Sequence, residues 1–364
     1  MSSGTMRAAV YHGPGDVRIE ERPVPVPAEG EVLLRVLRSG ICGTDLGEFE
    51  HGPRLFPLHT PHPVTGYVGP MTMGHEFTGQ VVAAHDQGSA MHAPGARVAS
   101  GAGVSCGRCP WCTAGRTNLC ERYWTLGLNA DGGLAEYVRV PAAVCVPIPD
   151  ACTDEAAGLA QPLAVGLHAV GRAGIEQADR VVLVGAGAIG SFILCGLVAR
   201  RPQQVIVLDI DEARLRAARA LGATHVVNVR DEDATETVLE LTGGVGATAV
   251  IEATGASGAA QRAIDLTARG GRVLLVGLPH EPQTLHLAEA TLREIDLRTT
   301  AAHVCDRDLP AALDLLTGSR IAEHLLDRVI GLDQLVDEGL AAMAERRVHG
   351  KILIDPSAAG VSEH

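Results

Sequence analysis

The sequence predicts an α/β chain in which a doubly wound parallel-sheet domain is inserted in a β-rich domain. Three observations predict it. Up to about residue 157, short apolar runs are separated by Pro- and Gly-rich turns. From there to about residue 300, strand-like and helix-like runs alternate. The chain then ends on one more strand-like run, and its 364 residues suffice for two domains with separate cores.

In the first part, TMRAAVY (5–11) and EVLLRVLR (31–38) read as strands, as do 78–84 and 134–140. Pro23, Pro25 and Pro27 keep the segment between Glu20 and Gly30 extended or turning. A His-, Pro- and Gly-rich loop from Glu50 to Met73 is longer than an ordinary connector and is expected to shape a binding site. Phe49, Phe56, Tyr67 and Trp124 are its candidate pocket walls. The α/β part begins with VVLVG (181–185), a glycine-rich turn and an apolar helix through Val198. VIVLDI (205–210), a helix over 212–221, and strands at 225–229, 247–253, 272–277 and 296–300 continue the series. Repeated βα units imply a parallel sheet covered on both faces. Amphipathic stretches follow at 308–317 and 333–346, then GKILID (350–355). The β-rich sheet is expected to recruit that last strand. The expected division is 1–157, 158–300 and 301–364, with a cysteine lobe at about 100–122.

Apolar residues make up 46% of the chain and charged residues 20%, within the globular range. No run approaches 18 apolar residues, so no membrane partner is expected. Met1 to Val10 lack a signal-type apolar core, which predicts a cytoplasmic protein. The net charge of -13 repels phosphate backbones and argues against nucleic acid as a partner.

Gly185-Ala-Gly187-Ala188-Ile189-Gly190 follows a strand and opens a helix. The first glycine permits a tight turn, the second a close approach of pyrophosphate, and the third close helix–strand packing. Asp209 ends the next strand, where a carboxylate binds the adenosine ribose and disfavours a 2′-phosphate, so NAD is the expected cofactor. Arg214, on the following helix, would soften that repulsion. Thr254, Gly277 and Leu278 end later strands and are candidates for the nicotinamide half, although ordinary turns explain them as well.

Cys106, Cys109, Cys112 and Cys120 have the spacing and chemistry of a closed, four-thiolate structural zinc site, with an iron–sulfur cluster as the competing reading. Cys42, in GICGTD, follows a strand, and His75-Glu76, in MGHEF, precedes one. A thiolate, an imidazole and a carboxylate with an open position make a catalytic zinc site. Read alone, a histidine such as His75 is more often packed or on the surface than a ligand, and a cysteine such as Cys42 more often a small buried residue.

Taken in order, GICGTD, GHE, the four-cysteine lobe, GAGAIG and Asp209 resemble the zinc-dependent medium-chain dehydrogenase family over nearly the whole chain. The resemblance is strongest to the polyol branch, above all the (R,R)-2,3-butanediol and sorbitol dehydrogenases, through His62-Pro-Val-Thr-Gly66 and Pro162-Leu-Ala-Val-Gly166-Leu-His168. It implies a Rossmann domain inserted in a GroES-like catalytic domain. It also implies NAD, two zinc ions per chain and a homodimer or homotetramer. The implied reaction is reversible oxidation of a small secondary alcohol or vicinal diol to the ketone. Cys42, His75 and Glu76 would hold the catalytic zinc, with substrate or water completing its shell. Thr44 would relay the alcohol proton and Asp45 orient the site. Two departures stand out. Gln161 occupies the position of a usual second glutamate, and Gly47 that of a usual relay histidine, leaving the cofactor ribose and water, or His51, as the proton's way out. The competing functions are a zinc-independent quinone or enone reductase on the same scaffold and a non-catalytic NAD-binding protein.

Overall fold

The computed structural model describes residues 4–85, 93–279 and 281–358. The chain divides into two compact units, one made of residues 1–161 and 304–364, the other of residues 162–303.

In the first unit, β1 (Thr5–Gly13), β2 (Asp16–Pro23) and β3 (Glu31–Gly40) lead into helix α1 (Gly43–His51). Then come β4 (Met71–Thr72), β5 (Glu76–Ala84), β6 (Arg97–Ser100) and β7 (Gly103–Val104). Helix α2 (Pro110–Thr113), β8 (Trp124–Thr125), β9 (Tyr137–Pro141), β10 (Cys145–Pro147) and helix α3 (Asp154–Ala157) follow. Helix α4 (Ala160–Ala173) contains the division between units. The second unit carries β11 (Arg180–Val184), α5 (Ala188–Arg200), β12 (Gln204–Asp209), α6 (Glu212–Ala220), β13 (His225–Asn228), β14 (Ala247–Glu252), β15 (Thr267–Leu275) and β16 (Asp296–Thr299). The chain returns to the first unit through β17 (Leu326–Gly331) and β18 (Lys351–Asp355).

The second unit is the expected doubly wound domain. Its sheet has the order β13-β12-β11-β14-β15-β16, parallel throughout. The central strands β11, β12 and β14 are apolar on both faces, and two separate clusters bury them. Val181, Leu183, Val205 and Val207 pack with α5 on one side, and Val182, Val184, Ile206 and Val250 with Ile264 on the other. The strand order reverses between β11 and β14, and ligands of such sheets bind beyond the carboxyl ends of the strands at that point.

The first unit's main sheet runs β10-β6-β5-β3-β18-β17, with β9 also on β3, while β2-β1-β4 form a smaller sheet. The strand read at 350–355 is β18, and it pairs antiparallel with β3 at Leu353↔Gly40. On the other side of β3, Gly40 is opposite Glu76 of β5. Three chain segments far apart in sequence therefore meet at the end of β3.

One element went unassigned in the sequence reading and one expectation needs correction. Helix α1 lies directly after Cys42, and Gly43 and Gly47 hid it, since glycine weakens helices. Asp45 compensates at its start, its Oδ2 accepting the Cys42 N–H at 2.8 Å. Of the four aromatic candidates for pocket walls, the two phenylalanines pack into the core instead. Phe56 is buried against Tyr11, edge to face at 4.8 Å between ring centroids, and Phe49 joins the same core cluster. Tyr67 donates to Asp131 and to the Pro70 carbonyl. Together with Trp124 it lines a cavity of about 590 Å³ whose walls include none of Cys42, Thr44, His75 or Glu76.

Candidate active site

Strand register explains how Cys42 and Glu76 meet. Cys42 leaves the end of β3 two residues after Gly40, and Gly40 is opposite Glu76 at the start of β5. His75 is the residue before. One ligand atom each from Cys42, His75 and Glu76 lies within 4.8 Å of the others. His75 and Glu76 are buried and Cys42 is half-buried. Asp45, with no exposed surface, holds the Cys42 backbone and places Oδ1 3.7 Å from His75 Nδ1, an ion-pair distance too long for a hydrogen bond. Burial lowers the His75 pKa, but the charges of Asp45 and Cys42 outweigh it and hold the imidazole well above its ordinary value. Neither Asp45 Oδ1 nor His75 Nδ1 has a hydrogen-bond partner. Buried polar atoms left this way, in a mixed sulfur, nitrogen and oxygen donor set, suit a zinc ion with an open position. Thr44 Oγ1 is 3.8 Å from Cys42 Sγ. Gln161 lies in the first turn of α4, half-buried.

The four-cysteine lobe is local. β7 and β8 pair to close it, α2 carries Cys112, and Cys109 is that helix's N-cap. The four sulfurs lie within 4.8 Å of one another. A zinc tetrathiolate with Zn–S near 2.3 Å has sulfur–sulfur edges of about 3.8 Å, so the group needs little movement to close. Cys120 Sγ accepts from the Cys106 and Arg122 N–H groups at 3.2 and 3.3 Å. Backbone N–H groups of Cys112 and Glu121 bring Cys109 down to about 6, whereas burial pushes Cys120 up to about 11.

In the second unit, each glycine of Gly185–Gly190 has a different constraint. Gly185 has φ of 96°, and a Cβ on Gly190 would stand 1.9 Å from the Gly185 carbonyl. A Cβ on Gly187 would meet only the Arg214 guanidinium, at 4.0 Å, so the space above it is open. The Ala188 and Ile189 amides belong to the first turn of α5, where N–H groups have no helical acceptor and attract phosphate. Asp209 is buried; Oδ2 accepts from Ala186 N–H, and Oδ1 from Ile210 and Asp211. At the ends of β14 and β15, the buried Glu252 carboxylate accepts from the Thr254 and Gly255 N–H groups. A Cβ on Gly277 would stand 2.0 Å from Gly255 N, so the two turns interlock. Leu278 is 85% exposed, and a cavity of about 380 Å³ lined by Glu252, Gly255 and Gly277 adjoins these turns.

Known proteins share this layout. Residues 28–150 match the alcohol dehydrogenase GroES-like domain, and residues 188–318 match the zinc-binding dehydrogenase domain. Sorbitol dehydrogenase of Bacillus subtilis strain 168 is 30% identical over 357 residues, 97% of this chain and 98% of that protein. The chain belongs to the zinc-type medium-chain dehydrogenases. Within them it falls in the polyol branch: (R,R)-butanediol dehydrogenase of the same strain is 32% identical over 355 residues, 97% of this chain and all of that protein. The structure of an Escherichia coli CFT073 alcohol dehydrogenase complexed with NADH aligns with a TM-score of 0.85 at 28% identity, covering 97% of this chain and 100% of that one. This dehydrogenase is therefore an oxidoreductase with zinc and a nicotinamide dinucleotide as cofactors. Among the described residues, no helix is long and apolar enough to cross a membrane.

The sequence reading missed Lys351. It opens β18, is 6% exposed, and forms an ion pair with Glu76 Oε2. A lysine at the head of an apolar strand reads as a strand edge, and only the β3–β18 register brings it to the group of Cys42, His75 and Glu76.

Proposed function

We propose that this dehydrogenase oxidises a small secondary alcohol or vicinal diol to the ketone, reversibly and with NAD. In this reading Cys42, His75 and Glu76 hold the catalytic zinc, and Cys106, Cys109, Cys112 and Cys120 hold a structural one. Residues 1–157 and 301–364 form the catalytic domain and 158–300 the cofactor domain. The observation that carries the reading is the approach of three chemically different ligand atoms to within 4.8 Å, a set that would hold a zinc ion and leave a position for substrate.

Zinc held there supplies a Lewis acid that makes an alcohol more acidic. NAD supplies the hydride acceptor. The remaining work falls to the chain. Asp45 fixes the Cys42 backbone and faces His75, which orients both ligands. Thr44 Oγ1, beside Cys42 Sγ, receives the substrate hydroxyl proton and passes its own outward. Gly47 offers no acid–base group, so the proton continues through the cofactor ribose and water or through His51. Gln161 adds a polar amide without charge. Gly185, Gly187, Ala188, Ile189 and Gly190 receive the pyrophosphate, and Thr254, Gly277 and Leu278 border the nicotinamide. Asp209 selects NAD by repelling a 2′-phosphate, a preference that Arg214 limits. The sorbitol and butanediol dehydrogenases among the relatives support a polyol or diol substrate. A homodimer or homotetramer and a cytoplasmic location complete the proposal.

The test is a panel of diols, polyols and simple secondary alcohols with NAD and NADP, on zinc-loaded protein of measured metal content. The expected result is turnover of secondary alcohols with NAD and two zinc ions per chain. One zinc per chain with enone reduction favours the zinc-independent reductase. Cofactor binding without turnover favours a non-catalytic protein.

A further inference from the structure

The residues around Cys42 hold more charge than the three ligands. Asp45 and Glu76 are buried carboxylates, and Cys42 is a thiolate when it ligates a metal. Lys351 is the cation paired with them, through Glu76 Oε2. The fold leaves room for this pair. A Cβ on Gly40 would lie 2.5 Å from Glu76 Oε2 and 3.1 Å from Lys351 Cε. The position opposite Glu76 across the sheet thus carries no side chain, and the lysine fills the space from the neighbouring strand.

The charges decide what this arrangement does. Three anions and one ammonium leave two negative charges in a buried site, which a dication neutralises. Without the ammonium, the filled site would keep one negative charge, which opposes the electron withdrawal that zinc supplies. Glu76 is also divided: Oε2 is engaged by Lys351, leaving Oε1 for a metal.

We propose that Lys351 is a positioning residue for the catalytic zinc, holding Glu76 to one-oxygen ligation and matching the charge of the site to a dication. The inference rests on the reading of Cys42, His75 and Glu76 as zinc ligands. A lysine that merely supports the fold and one that sets ligation differ in the sign of their effect on the metal. Losing a support loosens the ligands and the zinc with them. Losing the lysine proposed here frees both oxygens of Glu76 for zinc, adds net negative charge, and tightens the metal.

The test uses the full-length holoenzyme and its cobalt-substituted form. The Cys42 site is identified by the chelator-release phase that disappears in Cys42→Ser. In Lys351→Met, zinc is expected to leave this site about tenfold more slowly, while kcat falls about tenfold or more and the alcohol KM changes less. The visible cobalt spectrum should weaken and shift, as expected on going from four to five ligands, and NAD affinity should be unchanged. Lys351→Arg should restore all three properties. Should Lys351→Met fail to fold, Lys351→Gln, which keeps a donor and loses the charge, is held to the same outcomes. Faster zinc loss with an unchanged cobalt spectrum overturns the proposal. Wild-type protein with one zinc and no Cys42-dependent phase removes the underlying site reading instead, and that result needs no Lys351 variant.

Discussion

The β-rich unit contains two groups of side chains that could hold a metal ion, built on opposite plans. Cys106, Cys109, Cys112 and Cys120 come from one short segment closed by a two-stranded ribbon, and donors of one kind would fill a coordination shell. Cys42, His75 and Glu76 come from the ends of two paired strands, with Asp45 and Lys351 behind them, and they would leave a shell incomplete. The local group can be assembled by its own turns. The dispersed group depends on a correct sheet register, because a slip of one residue would turn Glu76 to the other face. In the proposed reading, the site for chemistry is thus tied to the whole sheet, and the site for support is kept apart from it.

Mutations test that contrast, and the largest effect is expected at Cys42. Cys42→Ser should lower kcat by more than the roughly 10–100-fold typical of groups behind a metal ligand, with one zinc retained and Tm nearly unchanged. Steady-state kinetics with metal analysis check this, and survival of turnover in protein lacking that zinc would erase the distinction. Cys120→Ser should do the reverse. Loss of the structural ion should lower Tm by about 5 °C or more, with kcat per folded molecule within about threefold of the parent. Calorimetry and active-site titration decide it. A smaller effect is expected at Gly40. Gly40→Ala forces a methyl group against Glu76 and Lys351, costing about 1–3 kcal/mol of stability and about tenfold in kcat, with the four-cysteine zinc undisturbed.

The smallest effect belongs to an ion-pair group outside both sites, which sets the baseline. Arg38 pairs with Glu155 at 2.6 Å and with Asp355 at 3.0 Å. Burial alone would raise both carboxyl pKa values. Arg38 more than offsets this for Glu155, as do Ser357 and then Arg38 for Asp355, and both are lowered. Their contribution is therefore present above the ordinary carboxyl pKa and is lost as pH falls through the depressed values. Glu155→Gln should cost less than about 1 kcal/mol at neutral pH and flatten the fall of Tm below about pH 4, measured by thermal scans across pH.

The same contrast governs how much the sequence disclosed. The four cysteines announce themselves by spacing because their group is local. Cys42, His75 and Glu76 are visible as residue types beside strands, but what joins them is the Gly40↔Glu76 register, which no local pattern contains. The α/β unit was legible almost strand by strand, since buried parallel strands leave continuous apolar runs such as VVLVG. Helix α1 was hidden by its glycines. The stretch over 333–346 read as one amphipathic segment but is broken into a short 3-10 turn, a wider π turn over Leu335–Leu340 and a helical turn over Ala341–Ala344. Lys351 stayed hidden because its importance comes from a pairing across the inserted unit.

That pairing also sets an order of events when a ribosome makes the chain. The doubly wound unit is one continuous segment and can fold as soon as it emerges. The β-rich sheet must wait, because β18, which lies between β3 and β17, is synthesised only after the whole doubly wound unit. Until it docks, β3 has an open edge beside Gly40 and the Glu76 carboxylate lacks its ammonium partner. The nascent enzyme is thus ready to grip its nucleotide well before it is ready to use its metal.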